Sequence, residues 1–373
     1  SGRADNVFVS IPDGGRRTYV YDIPADHKSG TFWYHPHMHG IVAPQVSGGL
    51  AGAIVVEDAI DELPELAAAT ERVLVLSDPA IGSSSNVLDV SMMERMLGRE
   101  GDAILVNGIE APTITSRAGA LEHWRIVNAS PSRYYRLALD GHPFELIATD
   151  GGRLAEPRTE DELLLAPGER AEVLVRPHTA GSYHLDTLAY DRGGVGGGRG
   201  RRSPSTGQAR VATLAVAGSA APAGIPSALA PADTLALPSA TGRRALVLAM
   251  AMGPGGTGGG MSNGGEGSFT IDGKSFDHHR TDITTKLGRV EDWTITNAST
   301  MDHPFHLHVW PFQIIDRTDG VPIAPGWKDT INVPAGHAVT VRVPILDIDG
   351  RTVYHCHILD HEDLGMMGVI QVS

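Results

Sequence analysis

Residues 121–130 read LEHWRIVNAS and residues 290–299 read VEDWTITNAS. The two stretches share the Trp, the strand-like alternation and the Asn-Ala-Ser ending, which marks one structural unit used twice. The likeness extends outward at the same offset, within one residue. It carries DGHPFELI (140–147) onto HVWPFQII (308–315), and APGERAEVLV (166–175) near VPAGHAVTVRV (333–343). A second echo occurs three times, as Tyr34-His35-Pro36-His37, Tyr183-His184-Leu185-Asp186 and Tyr354-His355-Cys356-His357. These echoes predict three copies of one β-domain, each ending in equivalent strands. They also explain the glycosylation-like sequons at Asn128 and Asn297 as one repeated turn with a backbone role.

Composition agrees with an all-β chain. Of 373 residues, 41% are apolar and 20% charged, which excludes a disordered or fibrous protein. No apolar run has the length of a membrane span. The charge sum, 30 − 44 = −14, makes a poor general nucleic-acid binder. Short β-rich runs such as Gly52–Glu57, Arg72–Leu76, Glu172–Val175, Val211–Val216, Val339–Val343 and Val369–Val372 are bounded by Gly, Pro, Asp or Asn. Only Glu62–Ala69 and Ser91–Leu97 read as helices. Glycine-rich stretches at 192–204 and 253–267 read as surface loops, the second near Met250, Met252 and Met261. The expected units are residues 1–60 as half a domain, 70–220 as a whole one without metal, and 240–373 as a whole one bearing the chemistry. The single cysteine, Cys356, excludes an intrachain disulfide.

Three clusters, HPHMH (35–39), HPFHLH (303–308) and HCHILDH (355–361), hold nine of the seventeen histidines. On a strand, residues i and i+2 share a face and i+1 takes the other. His35 and His37 then face together, as do His306 and His308, and His355 and His357. Cys356 points the opposite way. A thiolate with two imidazoles and a distant thioether is a blue-copper ligand set, here Cys356, His303, His361 and axial Met366. The imidazole pairs on the other face suit further copper ions. Zinc is the competing metal, but its structural sites favour several cysteines, and no H-E-x-x-H is present. In the middle copy, Tyr134 and Arg136 stand near the positions of His303 and His306.

FWYHPHMHG…GGLAGAIVVED, MDHPFHLHVWPFQI and YHCHILDHEDLGMM resemble three of the four copper motifs of the multicopper oxidases, which include bacterial laccases, bilirubin oxidases and cuprous oxidases. The resemblance spans essentially the whole chain. It implies an all-β fold of three consecutive cupredoxin-like Greek-key β-sandwich or barrel domains, the first partial. It further implies four copper ions. His303, Cys356, His361 and Met366 would bind the type 1 copper and His306 the type 2. His35, His37, His308, His355 and His357 would bind the type 3 pair. His39 matches a histidine that is not usually a ligand. Glu362 matches an acid on the proton path of bacterial laccases, and Asp5 a second such acid.

The resemblance implies single-electron oxidation of a small donor, coupled to reduction of dioxygen to water, in a periplasmic or secreted setting. A phenolic or aromatic donor approaching near His361 is the leading expectation, and oxidation of Cu(I), Fe(II) or Mn(II) the alternative. A non-enzymatic cupredoxin, structural or electron-transferring, is the reading from another class. The family's fourth motif, His-x-His-Gly, is absent from residues 1–34, where the only histidine is His27. The half-length first unit and this absence together predict a missing N-terminal segment that carries the motif.

Overall fold

The computed structural model describes residues 6–25, 27–58, 60–82, 87, 89–195, 201–202, 207–229, 236–251 and 268–373. Asp5, Met252, Met261 and most of the two glycine-rich stretches lie outside them. Near the N-terminus, strands Gly30–Tyr34 and Gly52–Val56 form an antiparallel pair. Residues 70–219 fold as two facing sheets of seven and five strands, and residues 242–372 as two sheets of five.

The two sandwiches repeat one plan. Glu122–Asn128 runs parallel to Thr70–Ser77 and antiparallel to Arg170–Val175. Arg289–Asn297 runs parallel to Gly242–Ala251 and antiparallel to Ala338–Ile345. Trp124 and Trp293 sit fully buried at equivalent places, and each indole N–H donates to the glutamate two residues earlier, Glu122 or Glu291. The apolar cores gather around them. Ile126, Leu137, Phe144 and Val173 fill the central sandwich, and Ile295, Phe305, Phe312 and Val341 the C-terminal one. Each such side chain contributes ~1.5–3 kcal/mol on full burial.

The Asn-Ala-Ser endings form one buried turn. Asn128 Nδ2 donates to the carbonyls of Arg133 and Leu165, and Asn297 Nδ2 to those of Met301 and Val333. The amides of Ser130 and Ser299 return to the respective asparagine Oδ1 at 3.0 and 2.9 Å.

The register corrects two sequence correspondences. Leu165 pairs with Tyr135 as Val333 pairs with His303, and Ser130 bonds the Tyr135 hydroxyl as Ser299 bonds His303. Tyr135, not Tyr134, therefore occupies the His303 position, and Ala138, not Arg136, that of His306. Likewise Asp186 pairs with Ala138 as His355 pairs with His306. The positions of His355, Cys356 and His357 are thus held by Asp186, Thr187 and Leu188. The Tyr183-His184 pair falls two residues early, because Gly181 and Gly350 start equivalent strands and pair with Val216 and Val372. The first and third copies do match. Tyr34 pairs with Gly52 and Tyr354 with Gly368, and each phenol lies where a glycine side chain would be.

Polar contacts fasten the units together. Helix Val42–Ser47 packs Val42, Ala43 and Val46 on Leu359 of helix Leu359–Asp363. Asp363 accepts the amides of Gly40, Val42 and Ala43 at 2.8–3.0 Å, and Asp360 takes the backbone amide and guanidinium of Arg99. At the other seam Glu172 accepts from Thr31 of the N-terminal hairpin and from His123, Arg125 and Arg153 of the central sandwich. Burial pushes its carboxyl up, but the His123 hydrogen bond and the two guanidinium charges prevail and hold it at about 2.

Glu172→Gln should lower stability by about 3 kcal/mol at neutral pH, since it leaves buried cations short of a counter-charge. Glu172 ionises below its ordinary 4.5 in the fold, so its contribution is complete above that pH and is lost as pH falls toward 2. Thermal melts across this range should show an acid-dependent loss that is smaller in the variant; parallel curves would refute the assignment.

Candidate metal centre

Strand Gly350–Cys356 lies between strands His303–Leu307 and Met367–Val372. Cys356 pairs with Phe305, and His355 with His306. Alternation then separates the side chains. On one face Cys356 Sγ lies 3.4 Å from His303 Nδ1 and 3.8 Å from His361 Nδ1, and the two nitrogens are 3.2 Å apart. A point equidistant from the three lies about 2.0 Å from each, close to the ~2.0–2.3 Å of metal–imidazole and metal–thiolate bonds. The far nitrogens are tied: His303 Nε2 meets Ser299 Oγ and His361 Nε2 donates to the Met96 carbonyl. That bond leaves His361 Nδ1 bare toward the sulfur. The Ile358 amide points at Sγ at 3.4 Å. Phe269 stacks on His361, and Met366 is buried in the same cluster.

On the opposite face His37, His308 and His355 converge. Their Nε2 atoms are 3.1–3.3 Å apart pairwise, so a common centre lies about 1.9 Å from each, again a metal–nitrogen distance. His35, His306 and His357 complete the group. His357 is 5.4–5.5 Å from each of the other two, ring to ring, and Trp33 stacks on His35. The outer nitrogens are again held, His35 Nδ1 by the Pro36 carbonyl, His306 Nδ1 by that of Asp329 and His355 Nδ1 by that of Cys356. His357 Nδ1 is buried without a hydrogen-bond partner.

Electrostatics disfavour protonation of three of these imidazoles. Burial, then the neighbouring imidazoles, hold His37, His355 and His357 well below the usual histidine range. Burial, then the Arg192 charge, lowers His303 to about 3. Burial pushes the Cys356 thiol up, so metal uptake there releases a proton. Glu362 is fully buried, with Oε1 3.4 Å from His37 Nδ1 and Oε2 3.2 Å from His355 Nδ1. Burial, then nearby Asp363, raises its carboxyl well above the normal range.

Of the residues singled out in the sequence, His303, Cys356 and His361 form one group, and His35, His37, His306, His308, His355 and His357 the other. His35 and His37 lie just beyond the end of their strand. His39 turns away and packs on Phe276. Asp5 lies outside the described residues. His361, the expected approach point for a donor, is fully buried. Three features had no sequence signal: the Met96 carbonyl cap, Asp329 behind His306, and Gly168, whose φ of +82° and missing side chain admit His357.

Models of the multicopper oxidases match residues 4–60, 74–206 and 257–373. The solved structure of a multicopper oxidase from Campylobacter jejuni, described as a metallo-oxidase, is 32% identical with a TM-score of 0.80, and the match covers 95% of this chain and 74% of that one. The chain belongs to the multicopper oxidase family. Its three cupredoxin-type units account for the repeat, and the family's copper fits both groups of ligands. A laccase of Bacillus subtilis is 28% identical over 95% of this multicopper oxidase chain and 72% of its own. The cell division protein FtsP of Photorhabdus laumondii is 30% identical over 93% and 71%.

Gly168→Ala would put a methyl group 2.6 Å from His357 Cδ2 in a left-handed backbone. Stability should fall by about 1–3 kcal/mol, and copper per chain should drop while the visible thiolate band persists. Full copper content in the variant would show that His357 tolerates displacement.

Proposed function

We propose that this protein is an oxygen-reducing oxidase that takes single electrons at the Cys356 pocket and passes them to the imidazole cluster. The observation that carries this reading is the peptide run His355-Cys356-His357, one residue facing one pocket and its neighbours the other. Copper supplies one-electron uptake beside Cys356 and four-electron reduction of dioxygen to water in the cluster. His303, Cys356, His361 and Met366 would hold one ion, His306 a second, and His35, His37, His308, His355 and His357 a pair. Glu362, neutral and buried against two of those imidazoles, would hold a proton beside the cluster.

For the donor, the geometry favours a soft metal ion, Cu(I) foremost, over the phenols expected from sequence. The Met96 carbonyl occupies His361 Nε2 and Phe269 covers the ring, so the imidazole offers an aromatic molecule no edge to meet. Helix Met92–Leu97 supplies Met96, and its partly buried Met92 and Met93 pack against the core enclosing Cys356. Thioethers suit Cu(I), and the likeness to the Campylobacter jejuni metallo-oxidase supports this choice. The likeness to a Bacillus subtilis laccase supports aromatic donors as the second reading. The retained thiolate and imidazole pockets count against a purely structural role.

Oxygen uptake with Cu(I), Fe(II), Mn(II) and a set of phenols separates the readings. Cu(I) should turn over best, and Met92→Leu with Met93→Leu should raise its KM about tenfold while leaving any phenol activity intact. Turnover of phenols with none of Cu(I) would reverse the donor assignment. Cys356→Ser should abolish both the visible band and the oxygen uptake; a blue serine variant would remove the pocket from the proposal.

A further inference from the structure

The six clustered imidazoles divide into two halves with different supports. Glu362 stands behind His37 and His355 of the Nε2 triangle. On the side of His35, His306 and His357 the carboxylate is that of Asp329, with Oδ1 3.6 Å from His306 Nδ1. Behind them lies the guanidinium of Arg170, 2% exposed.

Arg170 spends its donors on backbone. Nε donates to the carbonyl of Thr31 at 3.1 Å, Nη1 to that of Gly168 at 3.0 Å and Nη2 to that of Asp150 at 2.6 Å. Nη1 and Nη2 also grip the two carboxylate oxygens of Asp329 at 2.7 and 2.6 Å. Two of these partners sit beside a histidine, and a third stands four residues ahead of one. Thr31 belongs to strand Gly30–Tyr34, which runs directly into His35. Gly168 lies against His357, where a methyl group would clash. The Asp329 carbonyl accepts His306 Nδ1–H at 2.8 Å, and Thr330 Oγ1 lies 3.0 Å from the same nitrogen. One planar cation therefore touches the N-terminal hairpin, the central sandwich and the C-terminal sandwich, each at a segment that sets one imidazole of this half.

We propose that Arg170 is a positioning residue for the imidazole cluster, fixing the relative placement of His35, His306 and His357 through the backbone of Thr31 and Gly168 and through Asp329. The inference rests on the reading that the cluster holds copper. Charge alone does not suffice. A lysine ammonium is a compact point with three donors and cannot grip a carboxylate as a fork while reaching three carbonyls. The bidentate geometry is what transmits position.

The test is a copper titration of the metal-free protein against a competing chelator, with the visible thiolate band reporting the Cys356 pocket and the remaining copper reporting the cluster. Arg170→Met and Arg170→Lys should each weaken cluster copper by about tenfold or more, as loss of an outer-shell support does, with the band per chain unchanged. Asp329→Asn keeps the carbonyl that holds His306 but weakens the fork and the 3.6 Å carboxylate contact to His306 Nδ1; it should weaken cluster copper with the band unchanged, and it remains informative if the Arg170 variants fail to fold. Glu172→Gln, which fastens the same hairpin through the Thr31 side chain, is the stability control. It should lower Tm without selective loss of cluster copper. Unchanged cluster affinity in the Arg170 and Asp329 variants overturns the inference. So does a loss that Glu172→Gln reproduces in proportion to its fall in Tm, since Arg170 would then be only a staple. If the unsubstituted protein takes copper at the Cys356 pocket alone, the reading of the cluster itself falls.

Discussion

Alternation along one strand is the constraint from which the site follows. Gly350–Cys356 is flanked on both sides, so its register is fixed by Phe305 and His306 on one edge and by Met367 through Val372 on the other. A slip of one residue would exchange the faces and place the thiol among the imidazoles. The protein guards against this at both ends of the strand. Gly350 begins it in a left-handed conformation, and Tyr354 seats its ring over Gly368, where any side chain would clash. The N-terminal hairpin repeats the device with Tyr34 over Gly52, so the strand leading into His35 and His37 is set by the same packing rule.

A cluster of imidazoles in an apolar interior is an electrostatic liability if any of them carries a proton. Burial and mutual repulsion hold His37, His355 and His357 well below the usual histidine range, and backbone carbonyls hold the outer N–H groups of His35, His306 and His355. Neutral rings with one nitrogen tied and the other bare are ready for a metal before any metal arrives. The charged residues stand one layer out. Glu172 with Arg125 and Arg153 lies inside the central sandwich, facing Thr31 of the hairpin, while Arg170 with Asp329 and Asp360 with Arg99 lie at seams between units. A buried pair there penalises misdocking strongly, because separation strands both charges. The seams thus carry the precision that the bare imidazoles cannot supply for themselves.

The paired strands and the opposite faces of Cys356 and its neighbouring histidines were legible in the sequence because they rest on short-range rules, while the gathering of His35, His37, His306, His308, His355 and His357 was expected from the family resemblance. Strand periodicity, the repeated Trp124 and Trp293 and the Asn-Ala-Ser turns are local patterns, and the separation of Cys356 from its neighbours follows from two-residue alternation. The register of the middle copy was not legible. Tyr183-His184 looks like Tyr354-His355, yet its strand is aligned by Gly181 and by cross-strand partners that only the folded sheet reveals. Helices Val42–Ser47 and Leu359–Asp363 span six and five residues, too short for a helical period, and depend on Asp363 and the Leu359 contact. The same holds for the cover over His361. Met96 reads as one apolar residue of a short helix, and nothing local says that its carbonyl meets an imidazole 265 positions away.

The buried Asn-Ala-Ser turns bear on how the protein can be made. Asn128 and Asn297 are almost wholly enclosed, with both amide hydrogens committed to carbonyls. Each nevertheless satisfies the acceptor rule of a eukaryotic glycosylation pathway, which acts on chains as they emerge, before these side chains are covered. A glycan attached there has no room in either sandwich. Production through a eukaryotic secretory route would therefore set the modifying enzyme against folding at the same two residues. Replacing Ser130 and Ser299 by Ala would remove the acceptor sites while keeping both asparagines, at the cost of the hydroxyl bonds to Tyr135 and to His303.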